Sequence, residues 1–547
     1  MRISVVAIFV LAVLFFSCGE EEKVNDTRTV FRYNEMGSIT SLDPVASSSF
    51  ENIWAVNQLF NGLVQVDDSL NVLPCIAKSW EISDDGLKYI FHLRTDVLFH
   101  PHKAFSSESR KVVAKDFVYS FRRLFDPEIS RALSVVEIIN VKNNIPSIID
   151  TDDSTLVIEI KRPFQPFLNL LTMKFFSVVP EEVVTYLGKD FSKFPVGTGP
   201  FQFRMWDDSK IIFLKNPDYF EKLNGESLPF LDAINISFIR DKQSAFLQLI
   251  RGKIDLISGA DAINIDVVFD HDGKLNKEYE HLITVLTGPF LKTDYLGFYV
   301  EKNGIDDSLY PLKVKAVRQA INYGLDREKI IRFFRNNMGK AADHGFIPPG
   351  LKEYSSSLVK GYFYSPDKAK LILTEAGFPL GKKGLALTLH ITDNFSDIAE
   401  FIQAQLEKIG LKVNLLVEPS REINKAVLKG EYDFFKKSWI CDYPDPENFM
   451  FLFYSLNFSP VGQNYFHFKN SRFDELFELS QKEKNKKIRM KLFNEMERII
   501  NEEAPVIPLY HDKVVRLVNK NCSGMKLNPM NLLDLRTVKK LNTNPNY

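Results

Sequence analysis

The stretch LALTLHITDNFSDIAEFIQAQLEKIGLKVNLLV, residues 385–417, carries the strongest fold signal in the chain. Residues 385–391 alternate apolar and polar side chains, as a half-buried strand does. Apolar residues then recur at helical spacing after Ser396, which we expect to cap a helix, and Gly410 is well placed to end it. Alternation resumes over 411–417. The pattern predicts a right-handed crossover between two parallel strands.

A second stretch, nearer the N-terminus, repeats this rhythm. Residues 234–240 alternate as a strand, Asp241 is expected to cap a helix that Gly252 closes, and 253–258 return as a strand. Two such units, far apart in the chain, predict an α/β protein with at least two sheet-containing lobes.

An acidic and aromatic run follows the first of these units. After a predicted helix over 421–429 and a predicted strand over 432–439, the chain reads ICDYPDPENF at 440–449. Two prolines forbid regular structure there. Ligands bind beyond the carboxyl ends of strands in open parallel sheets, so this run is a candidate binding site. An acidic surface turn fits the composition equally well.

The N-terminus has the features of a secretory signal. An apolar run over 5–16 follows the single charge of Arg2, and it is shorter than the roughly 20 residues of a membrane-spanning helix. We therefore expect a signal peptide over 1–17. Cys18, directly after it, resembles the acylated first residue of a bacterial lipoprotein, with 18–28 as a lipidated tether. An ordinary signal peptide with an incidental cysteine is the alternative.

Composition excludes several classes of protein. The 547 residues have a formal net charge of -1, so there is no basic field for nucleic acid. Besides Cys18, the cysteines are Cys75, Cys441 and Cys522, an odd number without close spacing, which excludes a disulfide framework but leaves any single bridge open. His100 and His102 lack a third ligand nearby. No metal site and no cofactor are expected.

No catalytic residues are predicted. The sequence has neither H-E-x-x-H nor G-x-S-x-G, and the 440–449 run offers no nucleophile with a base beside it. A secreted hydrolase is the distant alternative.

Motifs along nearly the whole chain after the signal resemble the extracellular solute-binding proteins of family 5, the oligopeptide-, dipeptide- and nickel-binding receptors of ABC importers. The motifs are SLDPVASSSFEN (41–52), LFNGLVQVDDSLNVLPCIAKSWEISDDGLKYIFHLR (59–94), AKDFVYSFRRLFDP (114–127), FPVGTGPF (194–201), VKAVRQAINYGLDREKII, YSPDKAKLILTEAGFP, WICDYPDPENF and EEAPVIPLY.

The resemblance implies an α/β, two-lobed periplasmic-binding-protein fold of type II, in its large three-domain form, with a hinge and an interlobe ligand site. Lobe I would comprise 29–66, 190–290 and 512–547. An inserted domain would occupy 67–189, and lobe II 291–511.

The resemblance also implies the ligand contacts. In peptide-binding members an aspartate three residues after the motif's tryptophan receives the ligand's α-ammonium group; here these residues are Asp442 and Trp439. A buried carboxylate is costly unless it is paired, so such a site selects a cationic amine. The full set of expected contacts is Ser48, Ser49, Ser438, Trp439, Ile440, Asp442 and Tyr443. The residue that receives the ligand's carboxylate is left open.

The resemblance finally implies a binding role and no enzymatic activity. The protein would capture peptides and deliver them to the transmembrane subunits of an ABC permease. It would be a monomer in the bacterial cell envelope, lipid-anchored on the periplasmic or extracellular face, with no membrane contact beyond the anchor. Alternatives within the same fold are a metal chelate or oligosaccharide as ligand, or a peptide sensor.

Overall fold

The structure is a computed structural model that describes residues 28–107, 109–259, 264–301, 310–378 and 386–541. The predicted signal peptide and Cys18 lie outside the described residues. The strands are β1 (Val30–Asn34), β2 (Val64–Val66), β3 (Val72–Pro74), β4 (Ala77–Ile82), β5 (Lys88–Leu93), β6 (Val141–Lys142), β7 (Ile145–Pro146), β8 (Ile148–Asp152), β9 (Thr155–Glu159), β10 (Phe201–Trp206), β11 (Lys210–Lys215), β12 (Lys222–Leu223), β13 (Glu226–Ser227), β14 (Ala233–Ser237), β15 (Leu256–Ser258), β16 (Ile283–Phe298), β17 (Gly339–Ala341), β18 (Ala386–Ile391), β19 (Lys412–Val417), β20 (Phe434–Ile440), β21 (Val506–Asn519), β22 (Cys522–Ser523) and β23 (Lys539–Lys540).

The α-helices are mostly short and join or flank these strands. They are α1 (Phe50–Leu59), α2 (Ala114–Arg122), α3 (Leu133–Val136), α4 (Phe167–Leu170), α5 (Glu181–Leu187), α6 (Lys242–Ile250), α7 (Ile265–Val268), α8 (Lys315–Tyr323), α9 (Arg327–Phe334), α10 (Pro366–Glu375), α11 (Ser396–Lys408), α12 (Ser420–Leu428), α13 (Glu447–Met450), α14 (Ser471–Lys482) and α15 (Lys486–Glu503).

One large sheet runs through both lobes, in the order β10-β11-β14-β1-β15-β21-β16-β20-β18-β19, with β17 also paired to β21. The long antiparallel strands β16 and β21 belong to both halves. Residues 283–289 of β16 pair with the end of β21 in the first lobe, and 293–297 pair with its beginning in the second lobe. The register shifts between Pro289 and Thr293. These two strands therefore join the lobes. The register shift between Pro289 and Thr293 lies where they pass from one lobe to the other, and we take this position as the hinge.

The stretch 386–417 forms the predicted crossover in the second lobe. β18 and β19 are parallel and in register from Ala386 opposite Lys412 to Ile391 opposite Val417. The capping role predicted for Ser396 is wrong: a 3-10 turn precedes α11, so Ser396 is the first helical residue and makes no capping bond.

The predicted strand–helix–strand unit over 234–258 is completed by a strand from another part of the chain. Asp241 caps α6 as predicted, its carboxylate accepting the backbone N–H of Ser244 at 2.8 Å. However, β14 and β15 are not neighbours: β1 lies between them and is parallel to both. The crossover is therefore completed by the N-terminal strand of the described chain.

A separate four-stranded antiparallel sheet, β4-β5-β9-β8, lies within the predicted inserted domain. Its buried residue Phe91 belongs to one continuous hydrophobic core with Phe31 of β1, so the sheet packs directly on the first lobe. The second lobe has separate cores. The predicted domain bounds stay a prediction.

The described residues contain no helix that is both long and apolar enough to cross a membrane, and no cluster of three or more potential metal ligands. Cys75, Cys441 and Cys522 carry free thiols.

Candidate ligand-binding site

Strand β20 has one paired edge and one open edge. Along its whole length it pairs antiparallel with β16. On the other edge, its parallel pairing with β18 is confined to Phe435. Within the part of the chain that the structure describes, no strand pairs with this second edge from Lys436 onward. An extended ligand can therefore join the sheet through main-chain hydrogen bonds beside Ser438, Trp439 and Ile440.

A cleft of about 910 Å³ lies along the beginning of this open edge. Its walls come from the segment after β18, from the segment after β19 with the first turn of α12, and from β20. It is therefore at the carboxyl ends of parallel strands, where open sheets bind ligands. The lining residues used below are Asp393, Glu418, Asn424, Lys436, Lys437 and Ser438.

Asp442 follows β20 directly after Cys441, and its side chain is exposed. The residue is exposed, but the surrounding protein weakens the hydration of its carboxylate. This desolvation raises the pKa of Asp442 to about 6, and a hydrogen bond from Asn448 only partly opposes it. No cationic side chain of the described residues lies within ion-pair distance of it. The site presents a carboxylate that a cationic ligand group would stabilise.

Asn448 holds this part of the site together. Its Oδ1 accepts the backbone N–H of Asp442 at 2.9 Å and the indole N–H of Trp439 at 3.2 Å. The backbone N–H of Cys441 donates to the carbonyl of Leu291 in β16 at 2.9 Å. Because Asn448 is buried, these bonds fix Asp442 and Trp439 relative to the hinge strand.

The rest of the loop turns into the protein. Tyr443 is buried, its hydroxyl donates to Glu447, and its ring lies 6.4 Å from that of Phe164, in the core that the first lobe shares with the four-stranded sheet. Asp445 is also buried, and Arg489 binds both of its carboxylate oxygens at 2.7 Å. The role of Tyr443 as a ligand contact stays a prediction, and its placement favours a structural role.

The two serines predicted to face β20 lie in the first lobe. Ser48 is exposed and Ser49 half-buried, directly before α1. The ring of Phe50 lies 5.9 Å from that of Phe290 in β16, which places the start of α1 beside the hinge. Among the described residues, no hydrogen bond joins these serines to β20. Their role as the opposing edge stays a prediction.

Two lysines on β20 were missed by the sequence analysis. The ammonium group of Lys436 donates to Asp294 at 2.7 Å. That of Lys437 donates to the neutral side chain of Asn424 at 2.7 Å and lies 4.5 Å from the ring centre of Tyr465. Burial and the neighbouring charge of Lys436 lower the pKa of Lys437 to about 8. Consecutive lysines within the strand run FFKKSWI are an unusual pattern that could have drawn attention to them.

A second cleft, of about 470 Å³, lies on the other side of the loop. Pro444, Asp445 and Pro446 line it; Asp442 lines neither this cleft nor the cleft along β20. Its polar lining is engaged within the protein: Lys352, for example, donates to Asn71 across the lobes at 3.1 Å. We therefore place the candidate site along β20, where an open strand edge and unpaired charges occur together.

Several named proteins align with most of this chain. It is 28% identical to di/tripeptide-binding protein 2 of Pseudomonas aeruginosa over 89% of this chain and 90% of that one. It is 31% identical to heme-binding protein A of Haemophilus influenzae over 83% of this chain and 82% of the other. Among solved structures, DppA of Helicobacter pylori in complex with the peptide STSA superposes with a TM-score of 0.76 at 28% identity, over 94% of this chain and 98% of that one.

A family model also matches, over residues 71–459, and its family is described as bacterial extracellular solute-binding proteins, family 5. That match covers well over half of the chain and includes β20 and the loop that carries Asp442. The two-lobed fold, the hinge strands and the open strand edge agree with it. This chain belongs to the bacterial extracellular solute-binding proteins of family 5.

Proposed function

We propose that this protein is the ligand-binding component of an ABC importer, and that it captures short peptides between its two lobes. The observation that carries the proposal is the open edge of β20 leading to Asp442, a desolvated carboxylate without a cationic partner among the described residues. The strand edge suits the main chain of an extended peptide, and the carboxylate suits its α-ammonium group. The peptide-binding relatives support the same ligand class.

In this proposal each lobe contributes one face of the site. Ser438, Trp439 and Ile440 supply the strand edge, and Ser48 and Ser49 close over the ligand from the first lobe. Closure about the hinge strands removes water from Asp442, which strengthens its attraction for the ammonium group. In this proposal the lobes have the predicted domain bounds, and the position of the four-stranded sheet inside 67–189 supports them.

We propose that binding, without catalysis, is the whole activity, and that a monomer performs it in the cell envelope. Its lipid anchor would be Cys18, which the signal-like sequence before it supports. Cys18→Ser should move the protein from the membrane fraction to the supernatant. A variant that stays with the membranes would contradict the anchor.

A non-peptide ligand is the second candidate. It is favoured by the 31% identity to heme-binding protein A, which exceeds the identity to the peptide-binding relative. The same cleft would then hold a ligand whose anionic groups meet the lysines of β20.

Mass spectrometry separates these candidates. The full-length protein is purified in mild detergent and denatured, and the released small molecules are identified. In parallel, the ligand-free protein is offered random-sequence peptides of two to five residues. A mixture of retained short peptides is the expected result. Retention of one non-peptide species, with no peptide retained from the library, would overturn the peptide proposal.

A further inference from the structure

The predicted inserted domain contacts the second lobe as well as the first, and it does so at the acidic loop, residues 441–446. The ring of Phe164 lies 6.4 Å from that of Tyr443. The side-chain amide of Asn169 donates to the carbonyl of Pro444 at 3.1 Å. This part of the inserted domain therefore holds the loop that carries the candidate ligand residue.

Two further bonds extend this boundary to the end of α14. The backbone N–H of Gln165 donates to the carbonyl of Gln481 at 3.1 Å. The ammonium group of Lys484 donates to the carbonyl of Asp84 at 2.7 Å. We call these four contacts, two at the acidic loop and two at the end of α14, the latch.

The latch is a loosely packed boundary. Among the described residues of 291–511, Tyr443 alone belongs to the core that the inserted domain shares with the first lobe. The other three latch contacts are single hydrogen bonds, and each involves a residue that lines the second cleft of about 470 Å³. Gln481 is buried at this boundary, and its side-chain amide has no hydrogen-bond partner among the described residues. Few polar bonds around a cleft are typical of a contact between domains that move relative to each other.

Asp442 lies between the hinge and the latch. On one side of it, the backbone N–H of Cys441 donates to the carbonyl of Leu291 in β16 at 2.9 Å. On the other side, Tyr443 and Pro444 contact the inserted domain. A ligand group at Asp442 therefore acts on a short segment that is fixed at both ends. Coupling of this kind is reciprocal, so a ligand that favours one position of the loop also favours the latch contacts made in that position.

We propose that the latch responds to the ligand: the inserted domain holds the acidic loop and the end of α14 more tightly when a cationic ligand group occupies Asp442, and it releases them when that group leaves. This rests on the proposed function, in which Asp442 receives the α-ammonium group of a peptide. The inserted domain then forms a second connection between the lobes, beside the hinge strands. Removing latch bonds makes the ligand-bound arrangement less stable and lowers the affinity.

Hydrogen–deuterium exchange at the backbone N–H of Gln165 tests the latch, because this group exchanges only while its bond across the boundary is broken. The full-length protein in mild detergent is measured alone and with random-sequence peptides of two to five residues, in free and N-acetylated forms. The control is the backbone N–H of Asn140, which donates to Glu159 within the inserted domain at 2.8 Å. Free peptides should slow exchange at Gln165 at least about fivefold more than at Asn140. N-acetylated peptides should not, and free peptides should have no such effect in Asp442→Asn.

Two variants weaken the latch from opposite sides. Asn169→Ala and Lys484→Met each remove one latch bond. Each should weaken retention of the free peptides by about two- to tenfold, the usual effect of one hydrogen bond. Asn140→Ala and Lys487→Met are the matched controls, because neither side chain makes a hydrogen bond across the boundary among the described residues. Both controls should retain peptides as the wild-type protein does.

The outcomes distinguish the latch from the receptor. If free peptides are retained but slow exchange equally at Gln165 and Asn140, or at neither, the inference is overturned and the peptide receptor stands. The same holds if N-acetylated peptides slow Gln165 as much as free ones. Retention of no peptide by the wild-type protein overturns the proposed function itself. If Asn169→Ala does not fold, Lys484→Met, which changes an exposed residue, and the exchange of the wild-type protein decide.

Discussion

Asp442 and Asp445 stand at the two ends of one short loop and have opposite surroundings. Asp445 is buried and bound on both oxygens by Arg489, which is itself buried. Asp442 is exposed, has no cationic partner in the described chain, and has a pKa raised to about 6. The carboxylate of Asp445 is therefore fully paired within the protein. That of Asp442 is crowded by protein that supplies no counter-charge, which leaves a place for a ligand's cation.

The adjacent lysines of β20 repeat this contrast with the opposite sign. The ammonium group of Lys436 donates to Asp294. Burial by itself would raise the pKa of Asp294, but the charges of Lys292 and Lys436 outweigh burial and lower it. Among the described residues, Lys437 contacts a neutral amide and an aromatic ring but no carboxylate. In both pairs the presence of a charged partner, rather than burial, distinguishes the residue that stabilises the fold from the residue that is available to a ligand in the proposed function.

Removing the partner of Asp445 should have the largest effect. Arg489→Met leaves a buried carboxylate unpaired and should lower the free energy of unfolding by about 3–5 kcal/mol. Urea denaturation followed by circular dichroism measures it. Asp442→Asn is the matched variant and should change stability by less than about 1 kcal/mol, because its carboxylate has no cationic partner among the described residues to lose. Equal losses in the two variants would remove the distinction between the aspartates.

Asp442→Asn should instead act on binding. It should weaken peptide binding by about 2–5 kcal/mol, since the ligand's ammonium group would lose its counter-charge in a closed site. Isothermal titration calorimetry of a retained peptide and of its N-acetylated form provides a double-mutant cycle. Acetylation should be costly for wild type and add little in the variant. An unchanged affinity in Asp442→Asn would show that the ammonium group lies elsewhere.

The raised pKa of Asp442 predicts a pH dependence of binding. As the pH falls through about 6, the free carboxylate gains a proton and no longer attracts the ammonium group. Affinity should therefore fall about tenfold from pH 7 to pH 5 in the wild type. The profile of Asp442→Asn should be flat over this range. Comparing the two profiles distinguishes titration of Asp442 from titration of Glu447, because burial raises the pKa of Glu447 to about 7. A wild-type profile parallel to that of Asp442→Asn would show that titration of Asp442 does not cause the pH dependence.

The smallest effect is expected at Trp439. Trp439→Phe removes the indole N–H that donates to Asn448, while the backbone N–H of Asp442 still satisfies the same oxygen. Stability should fall by about 0.5–1.5 kcal/mol, the usual net value of one hydrogen bond. Chemical denaturation measures this loss, and Phe451→Leu, which changes the ring packed on Trp439, is the control for packing. A loss as large as that of Arg489→Met would mean that Trp439 holds the loop itself.

Local patterns in the sequence predicted local structure well. The alternation over 386–391 and 412–417 forms β18 and β19, and Gly410, at φ +92°, lies just beyond the end of α11. Ser396 failed as a cap because residues 393–395 already form a 3-10 turn, and no pattern distinguishes that turn from an extended loop. The candidate loop was found because its prolines and acidic residues follow a predicted strand. The resemblance of its sequence to the family motif then identified Asp442 within it.

The sequence by itself determined the fold class, the two crossover units, the family and the loop that carries the candidate site, because these depend on periodicity and on residues close together in the chain. Only the tertiary structure decided that β1 lies between β14 and β15, that the open edge of β20 begins at Lys436, and which charges have partners. Asp445 and Arg489 are far apart in the chain, as are Lys436 and Asp294. The surroundings of a charge come from residues that folding alone brings together, so the sequence could name Asp442 but had no means of separating Lys437 from Lys436.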